Sequence, residues 1–352
     1  MAERVLTLRE LNRALLARQL LLQRARLPIP RAIERVGALQ AQWSPAPYVA
    51  LWTRLEDFGI PQLERALARK KVVRATLMRS TLHLVSTADY PLYAAAIVEA
   101  RRATVERLFP VDLDEIADRL RQATTEPPRT WGAWRELMIS LAGRPLKQSG
   151  EIWTLWTVAF MHARLVHLPP AGTYSFYRGA RFIPYDEWIG AAPVVPAEPM
   201  RHLVRRYLSA FGPATIDDMA SWMGVRTPPI RAVLDEAPRT FRDEAGRLLY
   251  DLPRAPLPSE DTPAPARLLA KWDSALLAYA PPERARILPD AYRKRVIAPN
   301  GDVAQTILVD GFVAGTWRVE KRRLQVEPFA RFPRPVREEL MSEEERLLAF
   351  LP

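Results

Sequence analysis

The feature that most constrains the fold is a repeated order of segments, in which a helix, a turn and a second helix precede a two-stranded hairpin. The order is clearest in residues 212–251. There Thr215 can cap a helix that ends near Gly224. A second helix begins near Pro229, and two short strands flank the turn at Gly246. This succession predicts a winged-helix module.

Two earlier stretches repeat the order, although they do not repeat the residues. The first copy combines predicted helices over 30–39, 48–55 and 61–69 with strands over 71–77 and 81–86. The second copy combines predicted helices over 129–141 and 150–163 with strands over 165–168 and 173–182. The strands are predicted from β-branched residues bounded by turn residues, and the helices from apolar spacing. The sequence therefore predicts three winged helices in tandem.

Two further regions flank these modules. Thr7 and Glu10 can form a capping box for a first helix over 7–23. A linker rich in proline over 253–265 leads to a region of short strands, because Asn-Gly and Asp-Gly turns separate its apolar runs. In this region we predict strands over 295–298, 305–309, 312–317 and 324–328, followed by a final helix over 335–350.

We therefore expect an α+β fold in four segments. The N-terminal helices and the first winged helix occupy 1–110, the second winged helix 111–195, the third 196–255, and a C-terminal β-rich domain with a terminal helix 256–352.

The charge of the chain points to a polyanionic partner. Among 352 residues the formal net charge is +11, and arginine supplies 45 of the 51 basic residues. Nucleic acid is the simplest partner for such an excess, and arginine suits bidentate phosphate contacts. The preference for arginine over lysine also has an explanation unrelated to function, because GC-rich codon usage produces it. The excess of charge therefore carries more weight than the choice of arginine.

Several classes of function find no support in the residues. Cysteine is absent, which excludes disulfides and thiolate chemistry. The four histidines make no HExxH motif or ligand cluster, so no metal is expected. There is no Walker loop, no Gly-x-Gly-x-x-Gly and no Gly-x-Ser-x-Gly, so we expect no cofactor. Apolar runs break at charges, and no signal peptide is evident. We expect a monomer in the cytoplasm, associated with the nucleoid and not with a membrane.

The candidate chemistry lies at Gln40-Ala41-Gln42, followed by Trp43. Two amides flank one small apolar residue at the C-terminal end of the helix predicted over 30–39. Such a short motif occurs by chance about 0.2 times in a chain with nine glutamines, so its meaning depends on its context. The alternative is that the two glutamines cap or pack a helix end.

Candidates for DNA contact are Trp43, beside the motif, and basic and polar residues in the predicted hairpins. Alternation places Thr81 and His83 on one strand face, close to Arg79. Arg178 and Arg181 fall in the second wing, where contacts with phosphates are usual. Arg318 begins a basic cluster completed by Lys321, Arg322 and Arg323. For each set the alternative is a solvated surface.

Taken together, these segments resemble the bacterial winged-helix DNA glycosylases of the AlkZ and YcaQ type. The resemblance covers most of the chain and rests on residues 38–42, 74–84, 207–215, 272–279, 300–302 and 308–318. It implies three tandem winged helices in a C-shaped body, with a catalytic Gln-Φ-Gln motif in the cleft. The AlkZ-like branch carries the Gln form, as Gln40-Ala41-Gln42 does, and is associated with unhooking interstrand crosslinks. Two departures are Ala41 as the apolar residue and Ser80 where glycine is expected.

The chemistry of two amides agrees with that implication. A purine alkylated at N7 is cationic, so its N-glycosidic bond is already weakened. Amides can orient a water against C1′, but they deprotonate it less well than a carboxylate does. Gln40 and Gln42 therefore predict hydrolysis of alkylated or crosslinked purines in double-stranded DNA. The alternatives are a non-catalytic winged-helix regulator and a scaffold with an incidental charge excess.

Overall fold

The structure, a computed structural model, describes residues 3–125, 130–145, 149–176, 181–192, 194–195, 197–234 and 239–352. The helices in these ranges are α1 Leu8–Arg18, α2 Ile29–Arg35, α3 Ala46–Arg54, α4 Ile60–Ala68, α5 Tyr90–Leu108, α6 Leu113–Thr124, α7 Trp131–Leu141, α8 Ser149–His162, α9 Tyr185–Ile189, α10 Pro199–Phe211, α11 Ile216–Met223, α12 Thr227–Leu234, α13 Ser274–Leu277, α14 Arg293–Val296 and α15 Arg334–Phe350. The strands are β1 Val5–Leu6, β2 Leu39–Gln40, β3 Val72–Thr76, β4 Leu82–Ser86, β5 Leu165–His167, β6 Phe182–Pro184, β7 Arg239–Asp243, β8 Leu248–Asp251, β9 Arg267–Leu269, β10 Thr306–Val309, β11 Phe312–Glu320 and β12 Arg323–Pro328. Single 3₁₀ segments are Met78–Ser80, Pro281–Arg286 and Asp290–Tyr292.

The strands form small sheets among the helices, which confirms the predicted α+β class. Their orders are β1-β7-β8, β2-β4-β3, β5-β6 and β12-β11-β10-β9. Strand β1 runs parallel to β7, and the other pairs are antiparallel. Within the described ranges, no helix combines the length and the hydropathy needed to cross a bilayer.

The third module agrees closely with the sequence. The Thr215 side chain accepts a hydrogen bond from the Asp218 N–H, and the Asp218 side chain accepts one from the Thr215 N–H, so two N–H groups at the start of α11 gain acceptors. Gly224 ends that helix with a φ of +72°, in the left-handed region that glycine favours. Strands β7 and β8 then pair around Gly246. The predicted capping box of Thr7 and Glu10 is also confirmed.

The helix predicted over 30–39 is wrong at its C-terminal end. Helix α2 ends at Arg35, because Gly37 turns the chain with a φ of +88°. The next residues are extended and pair with β4 as strand β2. The Gln-Ala-Gln motif therefore lies on the edge of a sheet and not at the end of a helix.

Two predicted strands are also wrong. Residues 293–296 form α14, where a strand was expected over 295–298. In the second wing, residues 173–176 make hydrogen-bonded turns, and strand β6 begins only at Phe182. Residues 177–180 of the predicted strand lie outside the described residues. Proline-rich turns in that wing shorten its hairpin to three paired residues on each side.

The hydrophobic cores connect the four predicted segments. The largest core includes Leu15, Val166, Tyr207 and Leu308, one from each segment. A second core packs β2, α3 and α4 against the C-terminal sheet and α15. The division into four segments stays a prediction, and the packing shows that these segments bury apolar surface against one another.

Buried ion pairs join elements that are distant in the chain. Arg18 on α1 makes a bidentate pair with Asp251 on β8, at 2.7 and 2.9 Å, and both side chains have no exposed surface. Arg54 on α3 makes a similar pair with Asp273, which also caps α13. Each charge is desolvated, so it depends on its partner.

Replacement of Asp251 by Asn tests this dependence. We expect the substitution to lower the free energy of unfolding by about 3 to 5 kcal/mol, since it leaves the Arg18 guanidinium buried without a counter-charge. Urea titration at neutral pH measures the loss. The control is Glu56→Gln, which removes the nearer of two acidic partners of the exposed Arg26 and should change little. Similar small effects for both variants would contradict the expectation.

Candidate active site

Strand β2 is placed by a close approach between the first and third modules. A Cβ on Gly37 would lie 3.0 Å from Cε2 of Phe211 on α10, and the positive φ already disfavours other residues there. The Tyr93 hydroxyl donates to the Gly37 carbonyl at 2.7 Å. Beyond this turn, Gln40 pairs with His83 on β4. The motif is therefore added to the edge of the first wing.

Both amides of the motif are anchored through their oxygens. Oε1 of Gln40 accepts a hydrogen bond from Nη2 of Arg79 at 3.0 Å, and the side chain is buried. Oε1 of Gln42 accepts one from the Leu82 N–H at 2.6 Å, and that side chain is exposed. Only the oxygen of a carboxamide accepts, so these donors fix which way each amide faces. The NH₂ group of each glutamine is left on the other side.

The turn that carries Arg79 has an unusual backbone. Arg79 and Ser80 both lie in the left-handed region, with φ of 52° and 61°. Nη1 of Arg79 donates to the Trp222 carbonyl at 2.8 Å. A Cβ on Gly224 would lie 2.9 Å from the Arg79 backbone nitrogen, so only glycine fits against this turn. Arg101 on α5 donates to the Ser80 hydroxyl at 3.0 Å. Contacts from α5 and α11 thus hold a turn whose left-handed backbone conformation would be unfavourable in free energy without them.

A second arginine holds the peptide between the glutamines. Nη2 of Arg74 donates to the Ala41 carbonyl at 3.0 Å, and its Nη1 lies 3.4 Å from Nδ1 of His167. Burial lowers the pKa of Arg74 and of Arg79 to about 10, so both remain charged at neutral pH. Across the part of the chain that the structure describes, no carboxylate pairs with either guanidinium. Two uncompensated positive charges therefore lie beside the motif.

His83 is buried, so neither its predicted contact with DNA nor the alternative of a solvated surface residue agrees with its position. Its side chain is 1% exposed, because β4 is the central strand of its sheet and is covered on both faces. A direct contact with a duplex is not available to it. Nδ1 of His83 lies 2.9 Å from the Thr81 carbonyl, so the neutral ring carries its proton there. Thr81 is half-buried, and its hydroxyl donates to the Met78 carbonyl at 3.0 Å.

The other predicted DNA contacts are dispersed. Trp43 is half-buried and lines a cavity of about 350 Å³ with Tyr174, Trp317 and Arg318. Arg318 is exposed on β11, and its Nε donates to Glu320 at 2.7 Å. Arg181 is exposed just before β6. Arg178 lies outside the described residues.

The sequence interpretation missed part of the site. Arg74 was considered only as one of the polar residues in or beside the first hairpin, the Leu82 N–H was not a candidate, and the contact of Trp222 and Gly224 with the turn was not foreseen. Arg74 lies on β3, and β4 separates that strand from the motif, so its contact with Ala41 depends on the folded sheet. The other contacts depend on how distant segments pack, which local patterns do not show. Within the described ranges, no group of three His, Asp or Glu side chains is placed to hold a metal ion.

The order of helices and hairpins, with arginines that lack acidic partners beside an amide pair, defines a winged-helix protein whose site favours an anionic ligand. The family model for DNA glycosylase AlkZ-like proteins matches residues 33–350, so the chain belongs to the AlkZ-like DNA glycosylase family.

Two relatives show how far the similarity extends. The chain is 28% identical over 144 residues to the interstrand DNA cross-link repair glycosylase of Streptomyces sahachiroi. That match spans 38% of this chain and 38% of the relative. The structure is similar to the DNA glycosylase AlkZ of Streptomyces sahachiroi, with a TM-score of 0.74, 20% identity, and coverage of 98% of this chain and 97% of the other. At this identity the structural likeness shows a common fold.

The buried His83 predicts how stability depends on pH. Burial and then the neighbouring Arg79 charge lower its pKa to about 3, whereas an unfolded histidine titrates near 6.5. Below pH 6.5 the unfolded state binds the proton first, so stability is complete above that pH and is lost as pH falls towards 3. Between pH 7 and pH 5 we expect this group to cost about 2 kcal/mol.

Urea unfolding of wild type and His83→Gln at both pH values measures this cost. The variant keeps a donor for the Thr81 carbonyl but does not titrate, so its stability should fall by less between pH 7 and pH 5. His167 is present in both proteins and therefore cancels. An equal loss in the two proteins would show that His83 is accessible to protons in the folded state.

Proposed function

We propose that this chain is a DNA glycosylase that hydrolyses the N-glycosidic bond of cationic N7-alkylated purines in double-stranded DNA, bulky adducts and interstrand crosslinks included. Family membership supports the class of reaction. The composition of the site supports the restriction to cationic purines. Gln40 and Gln42 are anchored amides, and no carboxylate of the described residues hydrogen-bonds to either one.

Cleavage of such a cationic nucleotide requires little acid–base assistance from the site. An N7-alkylated purine leaves as a neutral base, and departure builds positive charge on the sugar. The remaining task is to hold a water against C1′, whose oxygen bonds to C1′ as the neutral base departs. The water then gives its extra proton to the solvent, because an amide is too weak a base to keep it. Orientation alone can remove much of the barrier. A neutral base such as uracil leaves as an anion, so it requires stronger acid–base assistance than two amides give.

The hydrogen bonds of the two glutamines leave room for this role. A carbonyl oxygen has two lone pairs, and each Oε1 has one protein donor. The second lone pair can accept from a water, and each NH₂ group can donate to a sugar or phosphate oxygen. The bonds to Arg79 and Leu82 restrict the rotation of both amides, so water would bind to oriented groups.

Substrate size follows from where the motif lies. A crosslinked purine remains tied to the opposite strand, so it cannot be flipped into a closed pocket. Gln42 is exposed on the edge of a sheet. This position supports attack on a lesion that stays near the duplex.

Base release from duplexes that contain one N7-methylguanine tests the proposal. We expect release by wild type, with a loss of at least 100-fold in single-turnover rate for the variant carrying Gln40→Ala and Gln42→Ala, because it has no group to orient water. A duplex with a defined N7–N7 crosslink should be unhooked by wild type alone. Uracil in the same sequence should remain intact.

The matched control is Gln62→Ala, which removes an amide from the start of α4. It should release base at the wild-type rate. Affinity for the same duplex, measured by fluorescence anisotropy, should be similar in all variants. Equal release by the double variant would refute the assignment, and binding without any release would favour the non-catalytic regulator.

Arg181 and Arg318 are proposed phosphate contacts. Each Arg→Ala substitution should reduce the slope of log affinity against log salt by about 0.9, since one released counterion is lost. Arg337→Ala, on the exposed side of α15, should leave the slope unchanged. An unchanged slope for Arg181→Ala would place the second wing outside the interface. Arg178→Ala gives the same test for the rest of that wing.

A further inference from the structure

The hydrogen bond from Arg79 to Gln40 indicates that this arginine acts on the motif and not on DNA directly. Its two terminal nitrogens donate to the Gln40 side chain and to the Trp222 carbonyl, at 3.0 and 2.8 Å. The guanidinium therefore spans two modules, with the motif at one end and helix α11 at the other. The two groups that accept from it, the Gln40 amide oxygen and the Trp222 carbonyl, are both uncharged.

The position of Arg79 is set by its backbone. Two consecutive residues in the left-handed region cost free energy, and both have side chains that disfavour it. Gly224 lies against the Arg79 backbone, where a Cβ would come within 2.9 Å of its nitrogen and 3.0 Å of its Cα. A glycine with a φ of +72° fits this contact without a side chain. The contact fixes the position of the Arg79 backbone, and therefore where its guanidinium can reach Gln40.

This arrangement determines how Gln40 faces. A free carboxamide can turn by 180° at little cost, and either its oxygen or its nitrogen could meet the substrate. A guanidinium only donates, so it selects the orientation in which the oxygen faces Arg79. A charge-assisted bond holds that orientation more firmly than a neutral bond would.

We propose that Arg79 is a positioning residue, which acts through Gln40 by fixing its carboxamide so that the NH₂ group is left to face the substrate. The inference rests on the proposed glycosylase function. The second lone pair of the Gln40 oxygen lies next to a cation, which makes it a poorer acceptor for a water. Gln42 is bound only by a neutral backbone N–H and keeps the better acceptor. The two amides thus have different tasks.

Arg79→Lys is the first test, because lysine keeps the charge but cannot span both acceptors. We expect the single-turnover rate of N7-methylguanine release, at saturating duplex, to fall about 10- to 100-fold, the range for one charged hydrogen bond. Duplex affinity and its salt slope should remain at wild-type values. Arg206→Lys is the matched control. Arg206 is a half-buried arginine paired with Asp89, and its replacement should leave the rate unchanged.

Gly224→Ala tests the same inference without altering a charge or a glutamine. The added Cβ should displace the Arg79 turn, so we expect a slower release in the same direction. Circular dichroism at the assay temperature shows whether each variant is folded. A wild-type rate for both folded variants would overturn the inference.

A double-mutant cycle tests whether Arg79 acts through Gln40. If it does, Arg79→Lys combined with Gln40→Ala should be no slower than Gln40→Ala alone. Rates that multiply would overturn the inference, since Arg79 would then act on the substrate independently. A salt slope reduced by about 0.9 in Arg79→Ala, which removes the charge, together with an unchanged rate at saturation in Arg79→Lys, would make Arg79 a phosphate contact instead.

A spectroscopic readout separates this inference from the proposed function. The chain has nine glutamines, and ¹⁵N labelling of their side chains gives one NH₂ pair for each. Gln40→Ala identifies the pair of Gln40 by its loss. Arg79→Lys should move that pair towards the shift of a mobile amide. A moved pair in a protein without base release would leave the positioning role intact and refute the glycosylase, whereas an unmoved pair in an active enzyme would refute the positioning role alone.

Discussion

A guanidinium removed from water is costly unless acceptors surround it, and this fold depends on several such groups. Arg18, Arg54 and Arg286 are each at most 1% exposed. The first two meet carboxylates from distant segments, whereas Arg286 donates to the Pro213 carbonyl and lies 4.0 Å from the centre of the Tyr279 ring. These three arginines therefore stabilise contacts between distant segments of the chain.

The arginines at the motif differ from these in their partners. Arg74 and Arg79 donate to carbonyl and amide oxygens, and no carboxylate in the described part of the chain neutralises them. Their charge is therefore available to a ligand, although their N–H groups already have acceptors. A phosphodiester is the ligand that best compensates such a potential in a DNA-acting protein. The same two residues fix the peptide and one amide of the motif, so the electrostatics and the geometry of the site have a common source.

Local chemistry made part of this structure predictable. Thr7 and Thr215 with their acidic partners, Gly224 and the turn at Gly246 all appear where short-range rules place them. The apolar spacing of α10 was also available in the sequence, although this helix was not predicted. Strand β2 was not accessible in this way, because two residues become a strand only when β4 is beside them. The same holds for Arg79, whose acceptors come from two modules that pack in three dimensions.

The chemistry of the motif follows from what its neighbours leave unused. An amide oxygen that accepts from a cation has little basicity to spare, and an amide oxygen bound to a backbone N–H has more. A site of this kind does not generate hydroxide, which is why the proposed substrates are ones whose N-glycosidic bond is close to breaking. Positive charge from Arg74 and Arg79 also opposes the cation that forms on the sugar. DNA phosphates must offset that repulsion, and they do so only when the duplex is bound. Under the proposed function, catalysis therefore requires the backbone of the substrate as well as its damaged base.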